Sequence, residues 1–433
     1  IAKRPRLIAR CHGVADVVAA VNLGREEGVE LSVRGGGHNP AGNAVTDGGL
    51  MIDLSQLKGI HVDPVRRNAR AQGGVTWGEL NRETQLHGLA VTGGTISTTG
   101  IAGLTLGGGL GLTMGKLGLA TDNLLSAEIV TADGRVRTAS STENADLFWA
   151  IRGGGGNFGV VTSFEYRLHP VGPTVIGGVV VHPYSAAVGL LRLFRDLTAT
   201  ASDDLSLFAG LMQTPDGSGE KLCGLVLCHL GSHEQAALEL ESVRSFGSPL
   251  DVQLGPTPYT VVNTLVDGAF PRGALNYWKS SFLRELSDTA IEILVECFAA
   301  CPSTMSVMAI EHLHGEVTRV PVEATAVPHR STAYNLVIPS LWSDPAETEA
   351  NIAWTRETME AMSPFFADAR YVNYLDHDDG GNPVRSAYGP NYERLAELKA
   401  KYDPENLFRL NQNIPPAARG PATPTRRGVA GAS

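Results

Sequence analysis

Apolar residues in the first third of the chain come in short bursts that switch between two periods. Val17, Val18, Val21 and Leu23 recur at helical spacing over residues 16–27, and Gly28 follows. That spacing predicts an amphipathic helix stopped by a glycine. Residues 29–33 then read as a strand running straight into Arg34-Gly35-Gly36-Gly37-His38-Asn39. Thr76-Trp77-Gly78-Glu79 has the form of a capping box and predicts a helix over 76–87 closed by Gly88. Residues 127–131 and 135–139 flank Asp133-Gly134, a hairpin signal. A helix over 144–152 and a strand over 160–166 complete this part.

From about Val175 the pattern lengthens. Alternating apolar segments at 205–211 and 223–228 predict strands, and helical patterns cover 232–244 and 287–298. This combination predicts a second, α+β unit: an antiparallel sheet with helices on one face. Further on, 371–375 reads as a strand and 392–402 as a helix. Beyond Pro416 no periodicity survives, and a disordered tail is expected over 417–433.

Length and charge narrow the class. At 433 residues the chain has room for two or three domains. The net charge is −10 with no block of like charges, which argues against nucleic acid and anionic membrane as partners. No apolar run approaches the ~18 residues of a membrane span, and the start of the chain carries no signal-like segment, so a cytoplasmic or secreted protein is expected. Cys11, Cys223, Cys228, Cys297 and Cys301 fit no zinc spacing. They are expected as buried or free thiols, with no metal site.

The candidate chemistry lies in three glycine-rich segments: 34–39, 93–118 and 153–159. Apolar residues interrupt them, as in packed loops rather than tethers. Three consecutive glycines at 35–37 leave backbone N–H groups uncovered, able to wrap an anion. Arg34 adds positive charge and His38 a nucleophilic nitrogen, so the loop reads as a phosphate cradle able to bond its cofactor covalently. Gly154, Gly156 and Gly159 match G-x-G-x-x-G, but a helix is predicted before them and a strand after. That order is the reverse of a dinucleotide-binding turn, which excludes the Rossmann reading. Signatures of P-loop hydrolases, zincins and serine hydrolases are absent from the sequence.

Val33-Arg-Gly-Gly-Gly-His38, Gly107-Gly-Gly-Leu-Gly111 with Lys116-Leu-Gly-Leu119, and Asp122-Asn123 ahead of the hairpin resemble the PCMH-type FAD-binding domain of the vanillyl-alcohol oxidase superfamily. The ending resembles one branch, the berberine bridge enzyme-like FAD-linked oxidases: Tyr371-Val-Asn-Tyr374-Leu-Asp376, Tyr388-Gly-Pro-Asn-Tyr392, and 401–416. Glu311-His-Leu-His-Gly315 and the segment 324–330 also fit, so the resemblance runs from about residue 4 to 416. It implies an α+β protein with an FAD domain over 1–173, a substrate domain over 174–370 and a return to the FAD domain over 371–416. It implies hydride transfer to covalently bound FAD from a C–H beside an OH or NH of a sugar, secondary-metabolite alcohol or amine. O2 is the expected acceptor, giving H2O2. A dehydrogenase with another acceptor and an inactive flavin-holding protein are the alternatives. The assembly is expected to be a monomer or homodimer.

The resemblance also implies roles. His38 bonds the 8α-methyl of the flavin, and the amides of Gly35, Gly36 and Gly37 hold the pyrophosphate, with Arg34 and Asn39 beside them. Gly94, Ser97, Thr98, Thr99, Gly100 and Gly103 belong to the second contact segment. Gly108, Gly109, Gly111 and Leu112 continue it, and Gly156, Asn157, Gly159 and Val161 form the third. Asn411 and Asn413 either close over the flavin or serve as turn residues before Pro415. Ile96 stands where many relatives carry a second, cysteinyl link, so one covalent bond is expected, and Leu104 stands where they often carry histidine, so one contact near the ribityl chain is expected to be absent or replaced. Thr99 is small, as in members that use oxygen. Tyr374 matches the general base. Since a free tyrosine has a pKa near 10, a depressed value is expected, with Lys279 as the neighbouring cation. Tyr371 is a second catalytic candidate. On an ideal strand Tyr374 and Asp376 share a face and Tyr371 lies on the other.

Overall fold

The computed structural model describes residues 2–214 and 216–418, so the expected tail lies, from residue 419, outside the described residues. The first unit joins two sheets. In the smaller one Leu50–Asp53 pairs in parallel with both Leu7–Arg10 and Leu31–Arg34. The helix Val14–Glu27 packs on it through Val17 and Val21 and ends on Gly28 in the left-handed conformation, φ 64°. The larger sheet is antiparallel with five strands, in the order Ile60–Asp63, Asn68–Gln72, Val160–Arg167, Leu124–Val130, Val136–Ser140. The expected hairpin is its Leu124–Val130/Val136–Ser140 pair. The capped helix is Trp77–Gln85, with Glu79 bonded back to the Thr76 N–H at 2.8 Å.

A seven-stranded antiparallel sheet forms the second unit. Its strands alternate by face, as pleating requires. Leu205, Leu207, Ala209 and Leu211 join Leu225, Leu227, Ile310, Leu336 and Ile338 in a core under the helices Ala187–Thr198, Asp288–Ala299 and Thr348–Met362. The intervening residues face the first unit. Helices therefore cover one face of this sheet and leave the other for the glycine loops.

The chain then returns. Val372, Leu375, Tyr388, Leu395 and Ile414 are buried in the same core as Trp77, Phe158 and Phe164. Two expectations need correction here. Residues 371–375 are not a strand: Val372–Tyr374 is a 3-10 turn, with Tyr374 N–H bonded to the Tyr371 carbonyl at 3.0 Å. Among the described residues no strand pairs with this segment in a sheet. Its polar groups bond outside any sheet: Tyr371 OH accepts the Gly109 N–H at 3.0 Å, and the Asn373 amide donates to the Leu104 carbonyl at 3.2 Å. The turn puts Tyr371 and Tyr374 on one side, rings 4.9 Å apart and edge to face, not on opposite faces. The helix expected over 232–244 is two, His233–Glu239 and Glu241–Ser245, broken at Leu240, where the backbone leaves helical range. All five cysteines are free thiols; burial alone, or burial first among several causes, raises their pKa. Among the described residues no cluster suits a metal ion, and no helix is long and apolar enough to cross a membrane.

Candidate active site

Between the glycine loops and the open face of the seven-stranded sheet lies a cavity of about 360 Å³; a smaller one behind Tyr371 measures about 20 Å³. The loop side is nearly bare backbone. A methyl on Gly36 would sit 2.3 Å from the nitrogen of Gly100, so the first two glycine segments touch chain to chain. Gly37 has φ 75°, a conformation that side chains resist. A methyl on Gly103, by contrast, would meet no atom within 4 Å and would project into the cavity. These cradles, which side chains would block or fill, fit a long flat cofactor with a phosphate arm.

His38 opens onto this cavity. Its Nε2 lies 2.8 Å from Thr98 Oγ1 and its Nδ1 3.4 Å from Thr99 Oγ1. Desolvation by surrounding protein lowers its pKa, with Arg272 adding to the effect and Asp267 opposing it. The lowered pKa favours the neutral ring, in which one nitrogen carries a lone pair. The segment carrying Thr98 and Thr99 is held from the second unit. Asn263 donates to the Gly94 carbonyl at 2.6 Å, and Asp267 accepts both the Ser97 N–H at 2.8 Å and its hydroxyl at 2.6 Å.

Several expected cofactor residues act from behind the wall. Arg34 leans over Gly37 and faces Asp53 at 3.7 Å. Gly111 presses on the Gly93 carbonyl, where a methyl would stand 1.9 Å away, and Gly108 has φ 123°. Leu112 is buried in the core between the units. At the floor, Gly156 lies against Asn411, whose amide nitrogen would be 2.5 Å from a methyl there. Gly159, Val161 and Asn39 line the cavity. Asn157 lines it too, but its side chain is spent. Its amide donates to the carbonyls of Gly154 and Gln412, and its oxygen accepts the Ile414 N–H at 3.0 Å. The side-chain oxygen of Asn413 and the hydroxyl of Tyr388 are buried without partners. Tyr388 lines the cavity, leaving a hydroxyl available to a ligand.

The roof comes from the sheet and is apolar: Phe208, Met212, Val226, Trp278, Val337 and Pro339. Among the described lining residues the sole carboxylate is Glu311, and no lysine or arginine lines the cavity. Glu311 sits on the strand Met308–His312 and is 5 % exposed. One of its oxygens accepts the Tyr374 hydroxyl at 2.9 Å, the other the Asn335 amide at 2.7 Å. Burial pushes its pKa up to about 7 against the pull of these two donors. The sequence reading gave Glu311 no role. The available signal was an acid at a position whose neighbours Met308 and Ile310 are core residues.

Tyr374 departs from expectation. Burial, with Glu311 beside it, drives its pKa well above 10, not below. Lys279 cannot reverse this, because its ammonium is held by Asp378 and, at 2.8 Å, by Asp379. Tyr277 and Arg356 also bind Asp378, at 2.7 and 2.6 Å, so Lys279 belongs to an ion-pair cluster outside the cavity lining. Tyr371 is also raised, to about 12, by burial. Its hydroxyl is engaged by the Gly109 N–H and the Asn373 amide, so it positions the turn.

Comparison with known proteins agrees with this geometry. A family model described as FAD binding domain matches residues 5–140, and one described as berberine and berberine like matches residues 370–415. The (R)-6-hydroxynicotine oxidase of Paenarthrobacter nicotinovorans is 33 % identical over 427 residues, spanning 96 % of this chain and 92 % of that protein. The crystal structure of 6-hydroxy-D-nicotine oxidase from Arthrobacter nicotinovorans superposes with a TM-score of 0.86 at 30 % identity, covering 96 % of this chain and 93 % of that one. A chitooligosaccharide oxidase gives 0.82 at 25 % identity, with the same coverage of each. The chain belongs to the berberine bridge enzyme-like branch of the vanillyl-alcohol oxidase family and is an FAD-dependent oxidoreductase.

Proposed function

We propose that the protein is an oxidase that removes hydride from a C–H beside an OH or NH of a small organic substrate, with FAD held by a single covalent bond from His38. The observation that carries this reading is the Tyr374–Glu311 pair, facing the cavity across from the glycine loops. FAD held there would supply the two-electron acceptor, with O2 as the expected final oxidant and hydrogen peroxide as its product.

The chain's own work is to move one proton and exclude water. Tyr374 cannot wait as a phenolate, but it does not have to. Its hydroxyl proton is directed at Glu311, which leaves its oxygen lone pairs open to the substrate. As the substrate O–H or N–H gives its proton to Tyr374, Tyr374 gives its own to Glu311. The proton lost by the substrate ends on a carboxylate whose pKa of about 7 suits neutral pH. Asn335 fixes the other carboxylate oxygen. The apolar roof keeps competing water away. The neutral His38 supports covalent attachment, and Ile96, lining the cavity where relatives carry cysteine, supports a single link. Thr99, also in the lining, supports access for O2. That relatives are named oxidases for hydroxynicotine and for chitooligosaccharide supports oxidase chemistry on a small molecule.

Anaerobic mixing with substrate tests the relay. Tyr374→Phe and Glu311→Gln should each slow flavin reduction by about 10²–10⁴-fold. The double variant should be little worse than either, because the two act as a unit. In air, wild type should release peroxide as it turns over. Reduction at wild-type speed in both single variants would remove the pair from the mechanism, and reduction without peroxide would assign a different acceptor.

A further inference from the structure

The cavity's charge and polarity carry more than the reaction type. Its roof offers a buried carboxylate, a phenol and, apart from the Trp278 indole N–H and the Met212 sulfur, hydrocarbon. Phe270, Trp278, Tyr374 and Tyr371 form a continuous aromatic row, with successive ring centroids 5.5, 5.9 and 4.9 Å apart. Lys279 and Arg356 are bound by Asp378 and Asp379, and Arg272, whose charge reaches His38, is not among the lining residues. No cation faces the carboxylate from inside the lining described above.

A polyhydroxylated substrate fits this surface poorly. Each buried hydroxyl needs a partner, and Phe208, Met212, Val226, Val337 and Pro339 supply none. An alcohol losing its proton develops negative charge, which a site with a buried carboxylate and no cation does not stabilise. A cation gains on both counts: Glu311 supplies the opposite charge, and the aromatic faces attract it.

Resting on the oxidase reading above, we propose that the substrate is an aromatic or otherwise apolar secondary amine that enters as its ammonium, with Glu311 as counter-charge and Trp278 and Phe270 as the aromatic wall. Each Glu311 oxygen uses one lone pair on Tyr374 or Asn335 and keeps another for this role. The nitrogen would then lose one proton through Tyr374 to Glu311, and the hydrogen of the adjacent C–H would leave as hydride, for which bound FAD would be the acceptor. A C=N bond forms in place of the C–H and N–H bonds, and water outside the site hydrolyses it to carbonyl compound and amine.

The test uses the holoenzyme and separates charge from turnover. Phenyltrimethylammonium and tert-butylbenzene have the same shape, differ in charge and carry no oxidisable N–H. Their binding is read from the shift of the flavin absorption bands. The cation should bind at least about tenfold more tightly than its neutral isostere. In Glu311→Gln the order should reverse, since the hydrocarbon is cheaper to desolvate. Trp278→Leu should weaken the cation more than the hydrocarbon. In parallel, N-methylbenzylamine should reduce the flavin faster than benzyl alcohol or cellobiose. Equal binding of the two isosteres, or a cation preference that survives Glu311→Gln, would overturn the amine assignment. So would faster reduction by benzyl alcohol or cellobiose, and that outcome would leave the oxidase reading standing. Unchanged reduction in Glu311→Gln with the cation preference lost would instead break the relay and keep the substrate class.

Discussion

At the scale of single residues, the site turns on a carboxyl that the fold makes expensive to ionise. Burial pushes the Glu311 carboxyl up to about 7 in the folded protein, against 4.5 ordinarily. The folded chain therefore holds this proton more tightly than the unfolded chain. Its contribution to stability is fully present below about pH 4.5 and is lost as pH rises through about 7, by up to ~3 kcal/mol. Glu311→Gln, which cannot ionise, should melt higher than wild type at about pH 8, with the gap closing below about pH 5. A gap independent of pH would mean that Glu311 is not the buried acid. His38 makes a separate prediction. Intact mass should exceed the chain mass by one FAD, and His38→Ala should remove that increment while FAD still binds. Flavin released wholly from wild type by acid would leave His38 without its bond. The two residues also differ in legibility. His38 is announced by the contiguous Arg-Gly-Gly-Gly that precedes it. Glu311 has its partner 63 residues away, and only the sheet's packing shows which face it takes.

At the scale of elements, local pattern succeeds where an element answers to its own sequence. The helix Trp77–Gln85 carries its capping box, and the Leu205–Gln213 and Lys221–His229 strands carry their alternation. It fails at 371–375, where aromatic and branched residues suggest a strand. The decisive partners, Gly109 and Leu104, lie more than 260 residues earlier. It fails again for Lys279, whose neighbours Asp378 and Asp379 come from a distant loop. The segment 93–100 is likewise positioned from afar, by Asp267, 170 residues away from Ser97. Asp267→Ala should therefore raise hydrogen–deuterium exchange of the Ser97 amide and leave the Leu124–Val130 strand protected. Unchanged protection at Ser97 would mean that its glycine-rich neighbours hold the segment unaided.

At the scale of the molecule, the return of residues 371–414 ties the fold together. Lys399 and Asp403 are fully buried and paired at 2.7 Å. The same ammonium donates to the carbonyls of Asn157 and Phe408, both at 2.7 Å. It thus bolts the last helix, Tyr392–Tyr402, to the third glycine segment. Lys399→Met should cost about 3–5 kcal/mol, read by thermal melting, because it strands a buried carboxylate and two carbonyls. Lys399→Met with Asp403→Leu should recover part of the loss, although it also frees the Leu407 and Phe408 N–H groups that Asp403 accepts; no recovery would place the cost in the stranded backbone groups rather than in the unpaired charge.

That returning segment also sets a timetable for synthesis. Val372, Tyr388, Leu395 and Ile414 complete the core that Trp77 and Phe158 begin. A ribosome releases the chain from its N-terminal end, so the glycine loops emerge hundreds of residues before the pieces that brace them. Through most of translation the nascent flavin cradle exposes an unfinished apolar surface, and it cannot close until nearly all of the described chain is out. A chain that stops before residue 371 is therefore expected to hold FAD poorly and to aggregate, which absorbance and light scattering of the truncated protein would check.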